Sequence, residues 1–171
     1  MTRLLLLLCF FIGITTAQAQ TWIKFTDVEG KFTTKYPDNW EKKIKENNRV
    51  FFTSPKEDES DDFRQNVNIS VTYSEDLVGS KLRTLVPSVL KTIENKYDGY
   101  KFISGKYFKW NGVEAYEYNY SIKQSGLSFD AGITQWMSIR EGSIYMVTYT
   151  APVGPDDMRE TALKIMRSIV F

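Results

Sequence analysis

Ile144-Tyr145-Met146-Val147-Thr148-Tyr149 decides the fold class, because a run apolar on both parities reads as a central strand covered on both faces. Working outward, Glu141-Gly142 is a turn before it, and Leu127 to Arg140 is the strand that the turn joins to it. Val113 to Lys123 and Lys101 to Trp110 precede these, punctuated by Ser125-Gly126 and Asn111-Gly112. Four strands in this order predict an antiparallel meander. On the other side, Gly154 ends the run and Pro155 opens a helix, with Asp156 and Asp157 in the first turn where the dipole favours negative charge. Met158, Ala162, Ile165, Met166 and Ile169 form its apolar stripe, and Lys164 and Arg167 suit its C-terminal end.

Upstream of the meander the period changes. Leu82, Leu85, Val86, Val89, Leu90, Ile93 and Tyr97 recur at three and four residues, which predicts an amphipathic helix. Pro87 lies inside it, so either the helix is kinked or an early turn precedes a main helix starting near Pro87. Before that, Val67, Ile69, Val71 and Tyr73 alternate with Asn68, Ser70 and Thr72, the pattern of a strand with one wetter face. Trp40 to Ile44 and Val50 to Ser54 pair around Glu46-Asn47-Asn48, after the turn Tyr36-Pro37-Asp38-Asn39-Trp40. Trp22 to Thr26 and Lys31 to Tyr36 make a hairpin around Asp27-Val28-Glu29-Gly30, with Gly30 supplying the positive φ. The order is read as ββββ-α-ββββ-α, an α+β chain with one helix for each face of a mostly antiparallel sheet.

Composition removes several chemistries. The 171 residues include no His, which excludes Ser-His-Asp and Cys-His catalysis and imidazole metal ligands. One Cys allows neither an internal disulfide nor a thiolate zinc site. Arg3, the apolar run Leu4 to Ile14 and the small-x-small Ala17-Gln18-Ala19 read as a secretory signal peptide over residues 1–19. The run is too short to span a bilayer, and Cys9 lies inside it without the surroundings of a lipidation site. Cleavage removes Arg3 and no acidic residue, so 22 basic residues become 21 against 21 acidic ones, and no cysteine remains. A neutral mature chain argues against nucleic acid as a partner. Residues 20–171 are then one exported domain, periplasmic or extracellular, with no transmembrane span and one core.

Phe32 to Trp40, Val50-Phe51-Phe52-Thr53-Ser54-Pro55, Asn66 to Val71, and Tyr145 to Ala151 before a helix ending Ser168-Ile169 resemble the PsbP-like family. These motifs are turn prolines and core aromatics, and they cover nearly the whole mature chain. The resemblance implies an α/β/α sandwich, the architecture of an extrinsic subunit of plant photosystem II and of a nuclear Ran-binding protein. It also implies a non-enzymatic accessory or binding role. The plant subunit docks through a basic N-terminal extension and binds metal at positions that include histidine. Here only Gln20-Thr21 would precede the first strand and histidine is absent, so fold and accessory class transfer without photosynthesis.

Few residues invite chemistry. Asp58, Asp61 and Asp62, in the acidic run Glu57 to Asp62, offer the oxygen ligands calcium needs, but without the spacing or central glycine of a calcium loop. Any calcium binding would be weak, and no other cofactor is implied. Tyr116, Tyr118 and Tyr120 share a strand face, and Tyr145 and Tyr149 are read as their neighbours. Such a row is either an exposed stacking platform for a sugar or peptide or core beneath a helix. Ser88 and Lys91 match Ser-x-x-Lys without the companion motifs of such hydrolases. Glu114 and Glu117 fall on opposite strand faces, which defeats acid/base cooperation. Asn68-Ile69-Ser70 and Asn119-Tyr120-Ser121 fit the glycosylation pattern but lie within strands. The leading functional reading is a non-enzymatic module docking on an envelope or membrane-associated protein. The alternative is a small-ligand or calcium carrier with a pocket between sheet and helix, and a hydrolase ranks last.

Overall fold

The computed structural model describes residues 20–45, 49–59, 61–123 and 126–171. The signal-peptide reading, Cys9 included, falls on residues outside these, as do Glu46-Asn47-Asn48, Ser60 and Ser125. The first half contains β1 (Trp22–Asp27), β2 (Phe32–Pro37), β3 (Glu41–Lys45), β4 (Arg49–Thr53), β5 (Asn66–Tyr73) and α1 (Leu82–Lys96). The second contains β6 (Lys101–Trp110), β7 (Val113–Lys123), β8 (Asp130–Arg140), β9 (Ser143–Pro152) and α2 (Arg159–Arg167).

Seven strands form one sheet in the order β3-β4-β5-β9-β8-β7-β6, and every pairing is antiparallel. β9 is the middle strand. The fold is an α+β sandwich, with five strands rather than four before the first helix. β1 and β2 form a small second sheet that packs beside α2, and Thr33 of β2 bridges to Val170 after that helix. On that face Phe32, Tyr36, Trp40 and Phe52 join Val147, Tyr149, Ile165 and Met166 in one core. On the other face Leu82, Val86 and Ile93 of α1 meet Tyr116, Tyr118, Tyr120 and Met137 in a second.

The residues of β9 toward α2, Tyr145, Val147, Tyr149 and Ala151, are buried, while Ile144, Met146, Thr148 and Thr150 are half-buried. The expected cover on both faces is therefore complete on one only, because α1 lies over β7 and β8 and stops short of β5 and β4. The outer strands are guarded by charge. Every residue of β3 is exposed in the sequence Glu-Lys-Lys-Ile-Lys, and β6 carries Lys101, Lys106 and Lys109 with a bulge between Phe102 and Ser104, features that discourage edge-to-edge pairing.

Local geometry corrects two readings and decides a third. In the β1–β2 hairpin the positive φ belongs to Lys31, at 51°, not to Gly30. Gly30 is required by crowding instead: a Cβ there would lie 2.9 Å from the Phe32 ring, and its N–H donates to Asp27 Oδ1 at 2.8 Å. Pro87 lies within a helix that already runs from Leu82, so no separate early turn precedes it. The closing helix starts at Arg159 rather than Pro155, which leaves Asp156 outside it to do different work.

Candidate functional site

A groove of about 850 Å³ follows from where α1 lands. Ser88, Val89, Thr92 and Ile93 of the helix form its wall. The uncovered part of the sheet is its floor. The side chains on this parity of β5 and β9 that line it are Asn68, Ser70, Thr148 and Thr150, polar groups that tolerate exposure where apolar ones would need a second helix, together with Met146. Asn68 stands opposite Thr148 on the neighbouring strand, and Thr148 stands opposite Gln135 on the next. One register row thus carries three hydrogen-bonding side chains across three strands.

Gln135 is the most unusual of the three. It is 5% exposed, and its amide makes no hydrogen bond to any described residue. Its polar atoms are not sealed in the core, so they open into the groove that Gln135 lines. Arg49, Lys96 and Lys123 also line the groove, are exposed, and take part in no ion pair among the described residues. Lys96 lies over the Tyr97 ring at 5.2 Å. Asp98 is the acidic member of the lining, so the groove carries more positive than negative charge.

The five tyrosines do not form one row. Tyr116, Tyr118 and Tyr120 face α1, whereas Tyr145 and Tyr149 face α2, because Tyr145 stands opposite Ser138 and Ser138 opposite Ala115 rather than Tyr116. All five are at most 8% exposed, which makes them core and removes the exposed platform. Tyr118 and Tyr120 stack with centroids 4.8 Å apart, and Tyr120 borders the groove. The Tyr118 hydroxyl is buried without a well-formed hydrogen bond, although the adjacent Tyr120 hydroxyl bears on its ionisation.

Tyr149 donates to both carboxylate oxygens of Asp156, at 2.7 and 2.8 Å, and Asp156 also accepts the Met158 N–H at 3.2 Å. The pair ties the approach to α2 to the central strand. Asp156→Ala strands a buried phenol and is expected to lower stability by about 2 kcal/mol. Tyr149→Phe leaves a partly exposed carboxylate and should cost less. Urea denaturation of the two single variants and the double variant checks this, and additive losses would contradict the pairing.

Asp61 accepts the Glu57 N–H and the Phe63 N–H, both at 3.1 Å, and its own N–H donates to the Asp58 carbonyl at 3.3 Å, so its carboxylate braces the acidic loop. Asp62 is exposed. Among the described residues no group of three or more His, Cys, Asp or Glu is placed to hold a metal ion. Ser88 and Lys91 are both exposed, and the Ser88 hydroxyl donates to the Leu85 carbonyl at 2.8 Å, while only Ser88 borders the groove. Glu114 pairs with Arg83 of α1 at 2.9 Å. Glu117, on the other face, takes Trp136 Nε1–H at 2.7 Å and Lys106 at 3.3 Å. Sequence reasoning did not select Gln135, Arg49, Lys96 or Lys123. The alternation of Asn68 and Ser70 with core residues marked the wet face, but only register places the others around it.

No protein-family model and no curated protein matches the chain. Solved structures do. Cyanobacterial PsbP (CyanoP) of Synechocystis sp. PCC 6803 superposes with a TM-score of 0.61 at 12% identity, over 96% of this chain and 98% of that one. The Saccharomyces cerevisiae Ran-binding protein Mog1p gives 0.59 at 9% identity, over 89% and 96%. LpqN of Mycobacterium tuberculosis, a protein involved in cell envelope biogenesis, gives 0.53 at 13% identity, over 90% and 86%. This chain spans 47% of the length of a Bacteroides thetaiotaomicron protein that it matches with a TM-score of 0.59 at 15% identity. At such identities the likeness is one of fold.

Proposed function

We propose that this chain, whose fold is PsbP-like, is an exported binding or accessory module that works without turnover on an envelope or membrane complex. The groove carries the reading: beside Ser88, Thr92 and Asn68, whose side chains donate to backbone carbonyls, its lining holds the unpartnered Gln135 amide and the cations Arg49, Lys96 and Lys123, which make no ion pair among the described residues. Neighbours of the same fold include a Ran-binding protein and a protein involved in cell envelope biogenesis, which supports a binding role and an envelope setting. Among the described residues no helix is long and apolar enough to cross a membrane. Export rests on the residues read as a signal peptide, with Gln20 as the first mature residue.

A photo-cross-linking amino acid placed at Thr150 in the groove should give an adduct in the source cell. The same residue at Lys164, on the exposed face of α2, should not. The exported fraction should contain a chain beginning at Gln20. Equal labelling from both positions would sink the groove as the working surface, and a chain retained inside the cell with residues 1–19 attached would sink export.

A further inference from the structure

The geometry points to an acidic oligosaccharide, a run of pyranose rings bearing carboxylates, as the ligand class of the groove. This inference rests on the binding-module reading and names what that module binds. Three observations carry it.

The first is Gln135. An amide nine-tenths buried and left without a protein partner offers two donors and an acceptor in the same place, which suits the hydroxyls of a sugar. The second is spacing. Asn68, Thr148 and Gln135 lie on adjacent strands in one register row, so their backbones recur about every 4.8 Å, close to the length of one pyranose ring. A peptide laid along the same row would present same-side groups about every 6.8 Å and fall out of step. Val89, Ile93, Ile133 and Met146 supply apolar contact for the C–H faces of the rings. The third is charge. Arg49 stands at the β4 end of the groove, and Lys96 and Lys123 stand where α1 ends beside β7. Four strand spacings, about 19 Å across the sheet, separate β4 from β7, and by register Arg49 lies two residues to one side of the Asn68-Thr148-Gln135 row while Lys123 lies five residues to the other, so the cations flank the row on a diagonal and carboxylates along the ligand meet them on both sides.

Titration calorimetry of the purified protein tests this with three probes: β-1,4-linked tetraglucuronate, the uncharged cellotetraose of the same backbone, and tetraglutamate. Tetraglucuronate should bind, and cellotetraose should bind at least about tenfold more weakly. Gln135→Met should weaken the uronate about tenfold or more by removing the amide. Arg49→Gln, an exposed change that leaves the core intact, should weaken it several-fold and flatten its salt dependence. Cellotetraose binding as tightly as the uronate, or tetraglutamate binding as tightly, would overturn the assignment. So would full uronate affinity in both variants, each shown by its thermal melt to be folded. Absence of saccharide binding together with a persistent groove cross-link in the cell overturns the ligand and leaves the binding module standing. Saccharide binding without any cross-link supports the ligand and removes the docking partner instead.

Discussion

Replacing Trp110 with alanine is expected to lower stability by about 4 kcal/mol, a large part of the roughly 5–15 kcal/mol that holds a domain of this size together. Trp110 ends β6 and is 2% exposed. Its ring meets Trp136 and Phe171 edge-on, with centroids 5.4 and 4.8 Å away, and its Nε1–H donates to the Met166 carbonyl at 3.1 Å. The next residue continues the clasp: the Asn111 side chain donates to the Arg167 carbonyl at 3.2 Å and to the Ile169 carbonyl. Met166 and Arg167 close α2, where carbonyls lack partners within the helix, and Ile169 lies just beyond its end. Truncation to alanine therefore opens a cavity at an aromatic cluster and frees one end of the helix that closes this face. A thermal melt should fall by about 10 °C or more. Trp110→Phe keeps most of the ring contacts and loses the hydrogen bond, so its loss should be less than half as large. If the alanine variant melts within about 2 °C of the parent, the clasp does not hold the helix.

The parts of the fold legible in the sequence are those set by local chemistry. Asn111-Gly112 and Glu141-Gly142 have positive φ at both positions, the geometry that two-residue hairpins demand, and they placed both hairpins correctly, although β8 begins at Asp130 rather than Leu127. The switch from the alternation of Val67 to Tyr73 to the three-and-four spacing of Leu82 to Tyr97 placed α1. Its lateral position was not legible, because nothing in an amphipathic stripe says which strands it will cover. That single tertiary fact turns Thr148 and Asn68 from strand residues into a groove floor. The tyrosines show the same limit from another side. Parity put Tyr116, Tyr118 and Tyr120 together, yet whether Tyr145 shares their face depends on pairing register across two further strands, and a shift of one residue reverses it. Asp156 was read as a helix first-turn residue because its charge suits that place. The buried Tyr149 hydroxyl offered a stronger partner, and the helix begins three residues later.

Raising the pH above 10 is expected to unfold the protein through its buried phenols. Burial pushes the Tyr120 hydroxyl up to about 12 and the Tyr118 hydroxyl higher still, with neighbouring tyrosines adding to the effect at Tyr118. Burial also raises Tyr149, and the bond it donates to Asp156 holds its proton further. Below pH 10 these groups are protonated whether the chain is folded or not, and their stability contribution is fully present. Between pH 10 and 12 the unfolded chain releases protons that the folded one keeps, so stability falls as pH rises. For Tyr120 alone the shift corresponds to about 2 kcal/mol by pH 12. Phenolate absorbance should therefore rise late and together with loss of structure, not at the ordinary midpoint near 10. Tyr118→Phe separates the cause from general alkaline damage, since it removes a hydroxyl with no well-formed hydrogen bond and keeps the ring that stacks on Tyr120. At neutral pH that variant should be more stable by about 1 kcal/mol, and its alkaline midpoint should move upward. Tyrosines that titrate near pH 10 in a chain that stays folded would mean that the cluster beneath α1 admits water, and the Tyr118 variant would then gain nothing.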